Sequence, residues 1–161
     1  MKWSRGRRSG RRGFTLLELL VVLAIIATLA AVVAPAIFNN VSDAKTDAAK
    51  SQLELFALAL DAYRLDNDRY PTKAQGLVAL RVKPTTGDLP PNWRGPYLRK
   101  DIPLDPWGHA YVYVAPGVVN PTSYDLYTLG RDGKPGGTGE DSDLTSWGGP
   151  VSGTPPGAGT P

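Results

Sequence analysis

The sequence predicts an α+β fold: one long, bent N-terminal helix packed on a small antiparallel sheet, with an oxygen-rich, metal-binding loop. Three observations carry that expectation. An uncharged apolar run from Leu19 to Phe38 passes directly into an amphipathic stretch that reaches about Leu65. Two short segments rich in β-branched and aromatic residues, 110–115 and 123–128, follow late in the chain. Residues 129–143 then place four acids and five glycines in fifteen positions.

The 161 residues suit one domain of modest size. The formal net charge of +3 hides an asymmetry. Lys2, Arg5, Arg7, Arg8, Arg11 and Arg12 crowd the first thirteen residues, which contain no acid. Without them, Lys+Arg falls from 18 to 12 against 15 Asp+Glu, so the remainder carries −3. The basic block is therefore read as a topogenic leader that keeps the N-terminus on the cytoplasmic side. The acidic remainder argues against nucleic acid as a partner. There is no cysteine, which excludes disulfides, thiolate metal sites and cysteine nucleophiles.

The run Leu19-Leu20-Val21-Val22-Leu23 through Phe38 contains 20 residues without a charge. At about 1.5 Å per residue it spans roughly 30 Å, the thickness of a bilayer core. With the basic block before it, everything beyond Phe38 is expected outside the cytoplasm. Two plainer readings compete: a buried soluble helix, and a secretory signal peptide, for which Ala34-Pro35-Ala36 offers an A-x-A site. The apolar run exceeds the roughly 7–15 residues usual in signal peptides, and Glu18 stands at its lip. A carboxylate in an apolar environment is costly and normally finds a partner.

One helix is expected from about Phe14 to Leu65, bent near Ala31–Pro35 because proline removes a donor and clashes with the preceding turn. Ala24, Ala27, Ala30, Ala31 and Ala34 permit close approach of neighbouring helices. Past Pro35, Val41, Ala44, Ala48, Leu55, Ala59 and Ala62 define the apolar stripe, widened by Leu53, Phe56, Leu60 and Tyr63. Asp66-Asn67-Asp68-Arg69-Tyr70-Pro71-Thr72 ends the helix. A short helix is expected over 74–80. Six prolines between 83 and 108 predict an ordered loop with room for a tiny hairpin. Strands are expected over 110–115, 123–128 and 143–147. The tail from Gly148 is Gly/Pro-rich and expected to be disordered.

Gly13-Phe14-Thr15-Leu16-Leu17-Glu18-Leu19 resembles the processing site of type IV prepilins and pseudopilins. The resemblance implies cleavage after Gly13 by a prepilin peptidase that also methylates the new N-terminal Phe14. It further implies that Glu18 pairs with the Phe14 amine of an adjacent subunit, which favours a fixed stagger during polymerisation. The plainer alternative leaves Glu18 at the headgroup level without a specific partner. The parts become a removed leader (1–13), a transmembrane and filament-core half-helix (14–38), a periplasmic head including the amphipathic half-helix (39–147), and the tail (148–161).

The head carries further matches. Asp68-Arg69-Tyr70-Pro71-Thr72 followed by Gln75-Gly76-Leu77, then Pro103-Leu104-Asp105-Pro106-Trp107-Gly108 with Tyr111, then Tyr124-Asp125-Leu126-Tyr127 through Asp132-Gly133 to Asp141, Asp143 and Trp147, resemble the major pseudopilins of type II secretion systems. These belong to the type IV pilin superfamily. The resemblance implies a type IV pilin-like fold and a non-enzymatic role: the major structural subunit of a periplasmic filament that helps folded proteins across the outer membrane. It implies a homopolymer capped by minor pseudopilins, assembled by an inner-membrane platform with a separate ATPase, from subunits held as single-pass proteins in inner-membrane lipid. A subunit of a true type IV pilus is the alternative, weakened by the absence of paired C-terminal cysteines.

Oxygen-rich, glycine-rich loops suit Ca2+, which takes six to eight oxygen ligands. The resemblance implies one calcium in loop 129–143, with side-chain ligands Asp132, Asp141 and Asp143 and carbonyl oxygens at Leu129 and Arg131. Glu140 is read as facing water. The loop is no EF-hand: Lys134 and Gly136 stand where the third and fifth ligands belong. A solvated hairpin loop is the plainer reading. Asp66, Asn67 and Asp68 are assigned to helix termination and not to a second metal. His109, the single histidine, is placed at a strand entrance. Trp93, Trp107 and Trp147, with Tyr97, Tyr111, Tyr113 and Tyr124, are expected to close the core. No G-x-S-x-G or phosphate loop is present.

Overall fold

The structure, a computed structural model, describes residues 14–151, apart from the side chains of 34–39. The leader with Gly13 and the tail beyond Val151 lie outside the described residues, while the backbone at Pro35 lies within a continuous helix. The chain divides into one unit through Asn40 and a second from Val41.

Helix α1 runs Leu16–Asn67 and contributes to both units. In the first unit its described side chains all face outward. The polar exception within the apolar run, Thr28, satisfies its hydroxyl locally by donating to the Ile25 carbonyl at 2.8 Å, as a hydroxyl in an apolar setting must.

In the second unit α1 buries one face. Ala49, Leu53, Phe56, Ala59, Leu60 and Tyr63 are buried, with Phe56, Leu60 and Tyr63 at 0% exposure. This corrects the sequence expectation. The stripe drawn first, through Val41, Ala44, Ala48 and Leu55, is exposed, and of its members only Ala59 is buried and Ala62 half-buried. The residues taken to widen that stripe are the core itself. The two sets are neighbouring arcs of one helix surface. The larger side chains bury more apolar area, about 2 kcal/mol for a fully buried Leu or Phe, so they decide which arc faces inward.

The helix extends to Asn67, two residues past the expected end. Asn67 is buried and fully used. Its amide donates to the Tyr63 carbonyl and the Tyr97 hydroxyl, and its Oδ1 accepts the Asn92 amide at 3.0 Å. Asp68 then takes φ 60, the left-handed conformation that ends helices, while its N–H returns to the Arg64 carbonyl at 2.8 Å. The expected short helix is a 3-10 turn confined to Leu77–Leu80, with Leu77, Ala79 and Leu80 buried. The proline-rich stretch 83–108 forms no hairpin.

Three strands make an antiparallel sheet in the order β1 (Val112–Val114), β2 (Asp125–Thr128), β3 (Leu144–Thr145). Tyr113 faces Leu126 across β1 and β2, and Tyr127 faces Thr145 across β2 and β3. All three strands are shorter than the sequence suggested. All four residues of β2 are buried. Leu126 joins the cluster that contains Phe56, Leu60 and Tyr63. Strand alternation turns Tyr127 the other way, where the edge of Trp147 covers it at a centroid distance of 6.0 Å.

Aromatic rings bind the helix and the segments after it to the loops that lead into the sheet: Phe56 packs edge-on against Tyr111 at 5.1 Å, Tyr63 against Tyr97 at 5.5 Å, and Tyr70 against Tyr124 at 4.8 Å. The Tyr113 hydroxyl donates to the Pro71 carbonyl at 2.7 Å. The expected aromatic core is thus present, although Trp107 and Trp147 remain half-exposed.

Two buried carboxylates organise the loops. Asp105 Oδ1 accepts the amides of Trp107 and His109 at 3.0 and 2.8 Å, and its other oxygen accepts the Thr128 hydroxyl. Asp125 accepts the amides of Val118, Val119 and Asn120 and the Asn120 side-chain amide at 2.6 to 3.0 Å. Gly117 lies so close that a Cβ would sit 2.5 Å from Asp125 Oδ1.

Burial raises the hydroxyls of Tyr111 and Tyr124 from 10 to about 12, and raises Tyr113 further still. A raised acid favours the folded state while it stays neutral, so this stability is complete below the unfolded value near 10 and is lost as pH rises through the folded value. Thermal unfolding in detergent should show a nearly constant melting temperature between pH 8 and pH 10 and a steep fall between pH 10 and 12. Asp125→Ala leaves three backbone donors of residues 118–120 without their acceptor and should cost about 3 kcal/mol, read as a lower denaturation midpoint.

Candidate assembly helix and acidic loop

The N-terminal site is built by the first turn of α1. Thr15 precedes the first helical residue, Leu16. Its Oγ1 accepts the Glu18 N–H at 3.2 Å and its carbonyl accepts the Leu19 N–H at 3.2 Å. Thr15 is therefore the N-cap, a role the sequence reading did not assign. The signal was there: Thr15-x-x-Glu18 before an apolar run is the capping-box pattern. The cap places Glu18 in the first turn, where a carboxylate complements the positive end of the helix dipole. Phe14, the residue that follows Gly13, is 82% exposed. Behind Glu18, Leu16–Val33 has a mean hydropathy of 2.9, long and apolar enough to cross a membrane, and none of it is buried. Ala24, Ala27, Ala30 and Ala31 are exposed along it.

The acidic loop leaves β2 through Leu129 and Gly130. Gly130 is buried at φ 66, and a Cβ there would lie 2.6 Å from the Glu140 carbonyl. Only glycine allows the two arms of the loop to approach so closely. His109, at the entrance to β1 as expected, has Nδ1 2.9 Å from the Gly130 carbonyl. The Arg131 N–H donates to the Glu140 carbonyl at 2.8 Å and closes the loop at its base. At the tip, Asp132 Oδ1 accepts the Lys134 amide at 3.0 Å and Asp143 Oδ2 accepts the Gly136 amide at 2.9 Å.

The three carboxylates assigned to calcium divide into two groups. Asp132 and Asp143 lie in one electrostatic environment. Burial pushes the Asp143 carboxyl above its usual range; the Gly136 hydrogen bond opposes this and the negative charge of Asp132 adds to it. Asp143 Oδ1 is buried without a hydrogen-bond partner. A buried carboxylate oxygen left bare beside a second carboxylate fits a cation.

Asp141 does not join them. Its two oxygens accept from Arg131 Nε at 2.9 Å and a terminal Arg131 nitrogen at 3.1 Å. The other terminal nitrogen donates to Glu140 Oε2 at 3.0 Å. Glu140 therefore does not face water: its side chain is 16% exposed and paired. Among the described residues no three acidic or histidine side chains converge as a ready-made metal shell. The Arg131 side chain, which sequence reading passed over in favour of the Arg131 carbonyl, is the central charged group of the loop.

Known families match the residues of both regions. Residues 36–147 match the family described as type II secretion system (T2SS), protein G. Residues 8–34 match the prokaryotic N-terminal methylation motif. The type II secretion system core protein G of Pseudomonas aeruginosa is 45% identical over 141 residues, covering 88% of this chain and 98% of that protein. Its counterpart in Escherichia coli strain K12 is 43% identical over 138 residues, covering 86% and 92%. The crystal structure of the major pseudopilin from the type 2 secretion system of enterohaemorrhagic Escherichia coli is similar with a TM-score of 0.57 and 40% identity, covering 68% of this chain and 92% of that one. A chain that pairs the methylation motif with the protein G head over nearly the full length of such relatives belongs to the type II secretion system protein G family, the major pseudopilins, which are filament subunits and not enzymes.

Proposed function

We propose that this major pseudopilin is held in the inner membrane by residues 14–38 until it polymerises, and that its head assembles in the periplasm into the pseudopilus that moves folded proteins toward the outer membrane. The observation that carries this reading is the unburied apolar face of Leu16–Val33 behind a single carboxylate, Glu18. Such a surface is stable only in lipid or against other apolar helices. Removal of the leader after Gly13 leaves a cationic amine on Phe14, one residue before the Thr15 cap. That amine on one subunit can neutralise Glu18 of the next, and the pairing sets the stagger. The same chemistry makes a prepilin peptidase and methyltransferase the first partner. Minor pseudopilins and an inner-membrane platform with its own ATPase complete the proposed set of partners, as membership of the protein G family suggests.

We further propose that the acidic loop binds Ca2+. Asp132 and Asp143 would hold it, with the carbonyls of Leu129 and Arg131 and with Asp141 once that carboxylate turns from Arg131. The ion would neutralise the crowded carboxylates and tie the loop to β3.

Mass spectrometry of the membrane-extracted protein should find a chain starting at methylated Phe14. Glu18→Ala should remain membrane-inserted and correctly trimmed yet yield few or no filaments by electron microscopy. A variant that polymerises like the parent would remove the pairing from the scheme.

Calcium at 100 times its dissociation constant should stabilise the folded chain by about 2.7 kcal/mol. For a head of this size that is about 10 °C in melting temperature. Added sodium chloride should not reproduce the shift, and Asp132→Ala should abolish it. Identical melting curves with saturating calcium and with chelator would rule the ion out.

A further inference from the structure

The Arg131 side chain joins parts of the loop that are nine and ten residues apart. Its guanidinium lies on one arm and uses all three nitrogens on the other arm: Nε and one terminal nitrogen on Asp141, the second terminal nitrogen on Glu140. A fork on both oxygens of a carboxylate is the strongest pairing geometry available to an arginine. The contact is reinforced by the backbone bond from Arg131 N–H to the Glu140 carbonyl. Without Arg131, the 129–143 loop would hold four acids against the single cation Lys134, and Lys134 forms no ion pair among the described residues. Arg131 thus supplies positive charge where the loop needs it.

We propose that Arg131 is a built-in counter-cation that clasps the metal-free loop and sets its calcium affinity by competing with the ion for the Asp141 carboxylate. The inference rests on the calcium reading above. The fork occupies both Asp141 oxygens, so recruiting Asp141 to a cation requires breaking at least part of it. A guanidinium held at that carboxylate also repels a divalent ion nearby. Two effects of opposite sign follow. Removing the guanidinium loosens the metal-free loop, and it strengthens calcium binding. A residue that merely shapes the loop would behave differently, because losing it would loosen the loop and weaken the ion together. A residue that offers calcium only its carbonyl would change neither when its side chain is altered.

The test uses the full mature chain in detergent, comparing the parent with Arg131→Gln, which keeps a polar side chain without the charge, and Arg131→Lys, which keeps the charge without the fork. Calcium binding is measured by titration calorimetry at low ionic strength, and loop opening by hydrogen–deuterium exchange of residues 129–143 in chelator. Arg131→Gln should exchange faster in chelator and bind calcium about tenfold more tightly, the scale of one charge-assisted contact no longer displaced. Arg131→Lys should fall between the two. Calcium binding by the parent with equal or weaker binding by Arg131→Gln overturns the competition while leaving the calcium site standing. Absence of calcium binding by the parent and both variants overturns the calcium reading, and the competition with it.

Discussion

The head depends on one contact: the face of α1 carrying Phe56, Leu60 and Tyr63 against a layer of tyrosines and Leu126. The three strands together contain only nine residues. A sheet that small does not stand alone in water, and with no cysteine no disulfide can brace it. The helix acts as the template. Tyr111, Tyr113 and Tyr124 supply the large rings of that layer, and the Tyr111 hydroxyl is buried without a hydrogen-bond partner. Tyr113 reaches the Pro71 carbonyl while its ring stays in the core, so one side chain both fills space and fastens the segment after the helix.

Carboxylates do the work that disulfides or longer strands do in other small domains. Asp105 gathers the turn before β1 and joins it to Thr128 at the end of β2. Asp125 gathers the connection between β1 and β2. Both are buried, and a buried charge is tolerated only where several donors converge on it. The same logic extends to 129–143, where four carboxylates receive two backbone donors, the amides of Lys134 and Gly136. There the structure meets the excess with Arg131, and the bare oxygen of Asp143 marks where compensation is incomplete.

The first unit follows the opposite rule. Its helix offers no charged group between Glu18 and the amphipathic half, and Leu16–Val33 is unburied among the described residues. The chain is in this sense an unfinished object: its head buries a core of its own, whereas its apolar helix leaves its surface open. The cap at Thr15 contributes by holding Glu18 in the first turn, so the acid is presented at a defined height on the helix.

The class of fold, the membrane-length helix, the N-terminal methylation motif and the approximate places of the three strands along the chain were legible in the residues, because each depends on local chemistry: apolar run length, turn formers, β-branched alternation, and a short motif after the basic block. Thr15 as cap was equally local and was overlooked. The choice between two adjacent arcs of α1 was not legible, since both satisfy helical periodicity and only the volume of the facing sheet selects Leu53, Phe56, Leu60 and Tyr63. Asn67, taken for a helix breaker, became a buried hydrogen-bond centre because Asn92 and Tyr97 arrive from far along the chain. The partners of Arg131, Glu140 and Asp141 were hidden for the same reason. An ion pair across a loop depends on how the arms are brought together, and here that is done by the close approach at Gly130, which only the folded chain possesses.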